Sequence, residues 1–218
     1  MSRMASETLR LRRLGPADSS RVAQVAAGAF QDSGFYLRAL GLDRRELARY
    51  WEAFFRLALD DRQVRVFALE DDAGQMLAGL AVAYQGFPQP VRGVGFLLRL
   101  LRVIGPGAWL RYVGFVRAYQ RVMHRPAREH GVEARGLWLF VQPDARRQWL
   151  GSTLVHEGIA AVGQDGKTLM TGFVDAGNRP LLAFYRRLGF SVSSPVSFRG
   201  LTAATIELWV PERECPAC

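Results

Sequence analysis

Residues 137–154 read LWLFVQPDARRQWLGSTL. An apolar, β-like segment over Leu137–Val141 runs into Pro143 and Asp144, then into Arg146 and Arg147. Gly151 then opens a helix-like pattern. A helix's first turn carries free N–H groups and the positive end of its dipole, so a strand-to-helix junction is suited to holding an anion. Arg146, Arg147, Gln148 and Ser152 would add side-chain donors at that point. The plain alternative is that Gly151 only admits the helix and the arginines form a solvated face.

On the N-terminal side, TLRLRRL alternates apolar and charged residues and predicts a half-buried strand. GPADSSRVAQVAAGAF predicts a helix begun by Pro16 and Asp18, with Val22, Val25, Ala26 and Ala29 on one face. DRRELARYWEAFFRLAL predicts a second helix with a broad stripe of Leu47, Tyr50, Trp51, Phe54, Phe55 and Leu57. VRVFALEDDAGQMLAGLAVAYQ predicts two strands around an Asp-Asp-Ala-Gly turn. Residues 86–126 interrupt the strand series with two basic amphipathic helices, FLLRLLRVI and WLRYVGFVRAYQRVM, punctuated by Gly105, Pro106 and Gly107. On the second of these, Leu110, Val113, Val116, Tyr119 and Met123 share a face. That insertion reads as a packed helical pair, as a wall around a substrate, or as a surface touching a membrane or partner. On the C-terminal side follow a helix over about 151–162, the strand TLMTGFV, the helix RPLLAFYRRL ended by Gly189, and a hairpin from about Phe190 to Val210. The class is α/β or α+β with a mixed sheet.

The 218 residues suit one domain over 1–218, with the insertion at about 86–126 and a flexible tail expected over 211–218. The net charge of +9 rests almost wholly on arginine, since Lys167 is the only lysine. Arginine forks well onto phosphate oxygens, so a phosphate-bearing partner is favoured, although nucleic acid and anionic membrane share that chemistry. MSRMASETLRLRRL has no apolar core, so no export signal is read, and no run reaches the length of a membrane span. Cys215 and Cys218 are the only cysteines, too few for a structural zinc site, and they read as incidental in a reducing cytoplasm. No trio of histidines has metal-ligand spacing, so no metal is expected.

Two motifs in this order of elements resemble the GNAT superfamily of acyl-CoA N-acyltransferases. VQPDARRQWLGSTL is similar to the family's strand-to-helix acyl-CoA loop, with Val141 and Pro143 as its V-x-P, Arg146 as its R/Q and Gly151 as its final glycine. NRPLLAFYRRLGF is similar to the family's second motif, with Asn178, Tyr185, Gly189 and Phe190 in place. The resemblance implies a mixed, mostly antiparallel twisted sheet flanked by helices, with the helical insertion placed before the acyl-CoA-binding strand. It also implies acetyl-CoA as co-substrate. One departure stands out: the family's first loop glycine is Trp149 here. An indole turned outward leaves the neighbouring N–H groups free to face a phosphate, and one turned inward crowds it.

Carried over residue by residue, the resemblance implies that Arg146, Arg147, Gln148, Trp149, Leu150, Gly151 and Ser152 hold the donor. It implies that the backbone of Phe140 and Val141 pairs with the pantetheine arm, and that Asn178 either holds that arm or simply caps a turn. Tyr185 is the expected acid: an ordinary tyrosine, with pKa about 10, is protonated at neutral pH and can return a proton to a thiolate. Glu133, read as a loop residue just before the strand, is the expected base, with His124 and His130 behind it. His156 and Glu157 are expected to face solvent. The expected activity is transfer of an acetyl group to a small-molecule amine by direct attack in a ternary complex. The acceptor is expected between the insertion, the second helix and the final hairpin. A homodimer stays open and no nucleic-acid partner is expected. The rivals are a CoA-binding domain without catalysis, suggested by Trp149, and a binder of anionic surfaces or nucleic acid using the arginine-rich insertion.

Overall fold

The computed structural model describes residues 9–84, 90–130, 133–146, 148–164, 166, 169–198 and 200–210; for 90–93, 118–130, 133, 135–137 and 198 it describes the backbone alone. The expected tail over 211–218, with both cysteines, lies outside the described residues.

The hairpin at the centre forms where the Asp-Asp-Ala-Gly signal placed it. Strand β2 (Val64–Glu70) turns into β3 (Met76–Tyr84). The Gly74 N–H donates to the Asp71 carbonyl at 2.9 Å, and the Asp71 carboxylate accepts from the Gln75 N–H at 2.7 Å. Gly74 sits at φ 75°, a left-handed conformation that costs glycine nothing. Both strands are apolar on both faces because helices cover each side. Val66 and Ala68 point into one cluster with helices α1 (Ser19–Phe30) and α3 (Arg44–Ala58). Phe67 and Leu69 point into the other with α5 (Leu150–Gln164) and α6 (Arg179–Arg187).

The sheet has eight strands, in the order β1-β2-β3-β4-β5-β8-β6, with β7 also paired to β8. Here β1 is Arg10–Leu14, β4 Glu133–Val141, β5 Leu169–Asp175, β6 Ser191–Val192, β7 Val196–Phe198 and β8 Leu201–Trp209. Every pairing is antiparallel except β4 with β5. That parallel pair is short: Glu133–Arg135 face Leu169–Thr171, after which β4 continues beside β3 to Val141 and β5 beside β8 to Asp175. The two central strands therefore part towards their C-terminal ends.

Edge strand β1 is less buried than its alternation suggests. Leu14 is interior, but Leu11 is 42% exposed, and Arg12 spends its charge on Asp18 and Glu70. Helix α3 is built as its pattern predicts, with Asp43 and Glu46 closing a capping box at 2.8 and 3.0 Å and the aromatic stripe buried. Leu57 is half-buried and Ala58 takes the interior place at the end of the stripe. A helix absent from the sequence reading, α2 (Gly34–Leu40), lies between α1 and α3. The insertion is a helical run α4 (Pro90–His130) broken at Gly105, whose φ of 75° and ψ of 167° divide it into two arms. Its buried contacts are Phe96, Leu100, Ala108 and Tyr112 rather than the predicted face as a whole: Leu110 is 65% exposed. Trp109 ties the arms together by donating its indole N–H to the Leu97 carbonyl at 3.0 Å. Among the described residues no helix is long and apolar enough to cross a membrane.

Candidate functional site

The parting of β4 from β5 puts two helix N-termini, those of α5 and α6, beyond the carboxyl ends of the one parallel pair among the described residues. In open sheets this is the position where ligands are bound. Leu139 and Val141, alternate residues of β4, face the same side there. After Val141 the chain makes a 3-10 turn (Pro143–Ala145), and α5 begins at Leu150. Gln142 fixes this exit by donating its side-chain amide to the Met76 carbonyl at 2.5 Å and its backbone N–H to the Leu77 carbonyl at 2.9 Å.

A cavity of about 370 Å³ opens at this junction. It is lined by Arg146, Gln148, Trp149, Leu150, Gly151 and Ser152, by Leu139, Val141 and Ala145 before them, and by Leu181, Phe184 and Arg187 of α6. The stretch singled out in the sequence is thus one wall of a cavity, apart from Arg147, which lies outside the described residues. The N–H groups of Leu150, Gly151 and Ser152 precede the first backbone bond into the helix, Thr153 N–H to the Trp149 carbonyl at 3.1 Å. Helix geometry leaves such amides without an intrahelical acceptor. A Cβ at Gly151 would make ordinary contact with Leu139 at 3.4 Å and Phe184 at 3.5 Å. Arg146 spends one donor on the Ala29 carbonyl at the end of α1, at 3.2 Å, which anchors its guanidinium beside the rim. The donor set (backbone amides, a guanidinium, an amide and a hydroxyl around an apolar floor) fits a pyrophosphate joined to a flexible, largely apolar arm.

Trp149 does not fill this cavity. Its ring is 82% exposed at the mouth, and its backbone stands at φ 64°, the sole non-glycine residue with positive φ among those described. The loop takes a left-handed turn here, with a bulky residue bearing the strain.

The second motif divides. Asn178 caps α6, its side-chain oxygen accepting from the Leu181 N–H at 3.2 Å, and it is not among the cavity-lining residues. Tyr185 is buried at 4% exposure, with its ring edge-on to Phe184 at 5.1 Å and to Phe190 at 5.3 Å. It too is absent from the cavity lining, where its neighbour Phe184 stands. The inward face of α6 is Leu182 and Tyr185, while Leu181 and Phe184 turn towards the cavity. Burial first, and Tyr36 second, push the Tyr185 hydroxyl well above the ordinary tyrosine range. Tyr36, on α2, belongs to the packing on the opposite side of the sheet and is itself pushed up to about 12 by burial.

Phe140 turns its side chain away from the cavity, into the α1–α3 cluster, against Phe55 at 5.4 Å. Glu133 is the first residue of β4, in register with Leu169, rather than part of a loop before the strand; its side chain is outside the described residues, as are those of His124 and His130. His156 and Glu157 face solvent. Among the described residues no group of three His, Cys, Asp or Glu side chains is placed to hold a metal. The sequence reading missed Leu139, Ala145, Leu181, Phe184 and Arg187. Strand alternation from Val141 and helical spacing along α6 were the signals that could have found all but Ala145.

Residues 108–192, from the second arm of α4 to β6, match the family model described as the acetyltransferase (GNAT) domain. Over that stretch the sequence is similar to GNAT acetyltransferases. No curated protein matches the sequence. Solved structures share the fold across nearly the whole chain at low identity. The polyamine N-acetyltransferase of Drosophila melanogaster, which forms N-acetylagmatine, is 12% identical with a TM-score of 0.61, over 93% of this chain and 100% of that one. A GNAT-family acetyltransferase of Streptococcus pneumoniae is 12% identical with a TM-score of 0.58, over 94% and 100%. YncA of Salmonella typhimurium, solved with its cofactor acetyl-CoA, is 16% identical with a TM-score of 0.55, over 97% and 99%.

Proposed function

We propose that this GNAT domain transfers the acetyl group of acetyl-CoA to an amine of a small molecule in a cytoplasmic setting. The observation that carries the reading is the cavity at the parting of β4 and β5, walled by Arg146, Gln148, Gly151 and Ser152 and floored by Leu139, Val141 and Phe184. In this reading the amides of Leu150–Ser152 and Arg146 hold the pyrophosphate. The unpaired edge of β4 towards Phe140 and Val141 meets the pantetheine arm, and Tyr185 returns a proton to the thiolate. The acceptor enters among α2, α4, β5 and β8, where Phe35, Phe115, Phe173, Leu201 and Ala203 pack together. Glu133 stays the proposed base at the foot of β4.

Calorimetric titration with acetyl-CoA, run beside thiol release with a panel of amines, tests the reading. Binding with turnover is expected, and Gly151→Glu should abolish both by filling the cavity with a carboxylate. Absence of acetyl-CoA binding to the unaltered chain would overturn it. The burial of Tyr185 away from the cavity lining favours a second reading, a CoA-binding domain without catalysis, whose mark is binding with no thiol release for any amine.

A further inference from the structure

Trp149 is unfavourable twice over in the isolated chain. Its backbone is held at φ 64°, where a bulky side chain is strained, and its indole is 82% exposed to water. Glycine would cost less on both counts, and the exposed indole face is open to a ligand at the mouth. The ring stands at the mouth of the cavity, directly before the amides of Leu150, Gly151 and Ser152 and beside Gln148. Arg146 and Arg187 flank the same opening. A donor whose pyrophosphate sits on those amides has its arm running inward along Leu139 and Phe184, and its nucleotide emerging outward past the rim. The flat partner on that path is a purine, and an exposed indole offers a face of matching size for it.

We propose that Trp149 stacks on the adenine of the acyl donor and makes the chain selective for donors carried on CoA over the same pantetheine arm carried without a nucleotide. The inference rests on the acyl-CoA reading above and adds the residue that reads the donor's far end. Stacking of one base on an aromatic side chain is worth enough to change affinity on the order of tenfold.

The test compares two ligands across three proteins: CoA and 4′-phosphopantetheine, titrated by calorimetry into the unaltered chain, Trp149→Gly and Trp149→Phe. Trp149→Gly should lose on the order of tenfold in CoA affinity and nothing for 4′-phosphopantetheine, whereas Trp149→Phe should keep most of the preference. CoA should also quench part of the indole emission of the unaltered chain, and that quenching should vanish in Trp149→Phe. Because glycine relieves the backbone strain, the thermal midpoint of Trp149→Gly should hold or rise, which separates lost stacking from lost folding. Equal CoA affinity for Trp149→Gly and the unaltered chain, or equal losses for both ligands, would overturn the stacking and leave the acyl-CoA site standing. An unaltered chain that binds neither ligand would overturn both.

Discussion

Tyr185 combines two properties that rarely serve the same purpose. Burial and the neighbouring Tyr36 hold its hydroxyl well above the ordinary tyrosine range, so it carries its proton at any pH at which the fold survives. The same burial keeps it out of the cavity lining, behind Phe184. A proton donor must touch the leaving sulfur, so the proposed role of Tyr185 requires sulfur to reach a phenol fixed between Phe184 and Phe190. Removing the hydroxyl alone distinguishes a catalytic residue from a packing one. Tyr185→Phe should keep the fold and the acetyl-CoA affinity while lowering kcat by about 10²-fold, the usual scale for a lost general acid. No alkaline limb from this group should appear in the kcat profile below pH about 10, since its pKa is raised. An unchanged kcat in Tyr185→Phe would assign the residue to packing.

At the scale of elements, the donor wall is positioned by a glycine that faces away from it. A Cβ at Gly79 on β3 would lie 2.3 Å from the Phe140 ring, which is wedged against Phe55 and Phe30. Gly79→Ala should therefore drive the ring and β4 apart and cost about 1–3 kcal/mol, the range for overpacked cores. Thermal denaturation should show a midpoint lower by several degrees, and acetyl-CoA affinity should fall with it because β4 carries Leu139 and Val141. Gly158→Ala, which meets the flexible end of Leu80 at 2.5 Å, should cost less. The elements that were legible in the sequence carry their own local signals: the Asp71–Gly74 turn, the Asp43–Glu46 capping box, and the glycine at the end of α6. Helix α2 was missed because it is short and has no side-chain cap at its start, although Gly41 at φ 58° closes its end locally. Arg111 of α4 also donates to the Leu40 and Gly41 carbonyls at 2.6 and 3.1 Å. The loop from Arg146 to Ser152 stood out in the sequence and lines the cavity, Arg147 aside, and Asn178 was legible as either a cap or a contact. The burial of Tyr185 was not, since period alone does not say which of two adjacent helical faces turns inward. Nor was the strain at Trp149, because its φ is set by the turn geometry and not by its own preference.

Among the described residues most aromatic side chains other than Trp149 and Trp209 pack between sheet and helices, and four tyrosines there have raised hydroxyls. Tyr50, Tyr112 and Tyr185 have hydroxyls raised well above the ordinary value by burial, and Tyr36 is raised to about 12. In the unfolded chain all four titrate near pH 10. Above that pH the unfolded chain has released protons that the folded chain still holds, so ΔG of unfolding must fall as pH rises. Below pH 10 both states are protonated and these groups contribute no slope. Each raised phenol weakens the fold by about 1.4 kcal/mol per pH unit in that window. Four together would consume a typical domain stability of about 5–15 kcal/mol within roughly one to three pH units. The expected outcome is cooperative alkaline unfolding starting above pH 10, with phenolate absorbance rising in the same step in which far-ultraviolet circular dichroism is lost. Four phenols ionising near pH 10 while the dichroism stays intact would show that the aromatic packing around α2, α3, α4 and α6 is open to water, and with it the parting of the strands on which the site depends.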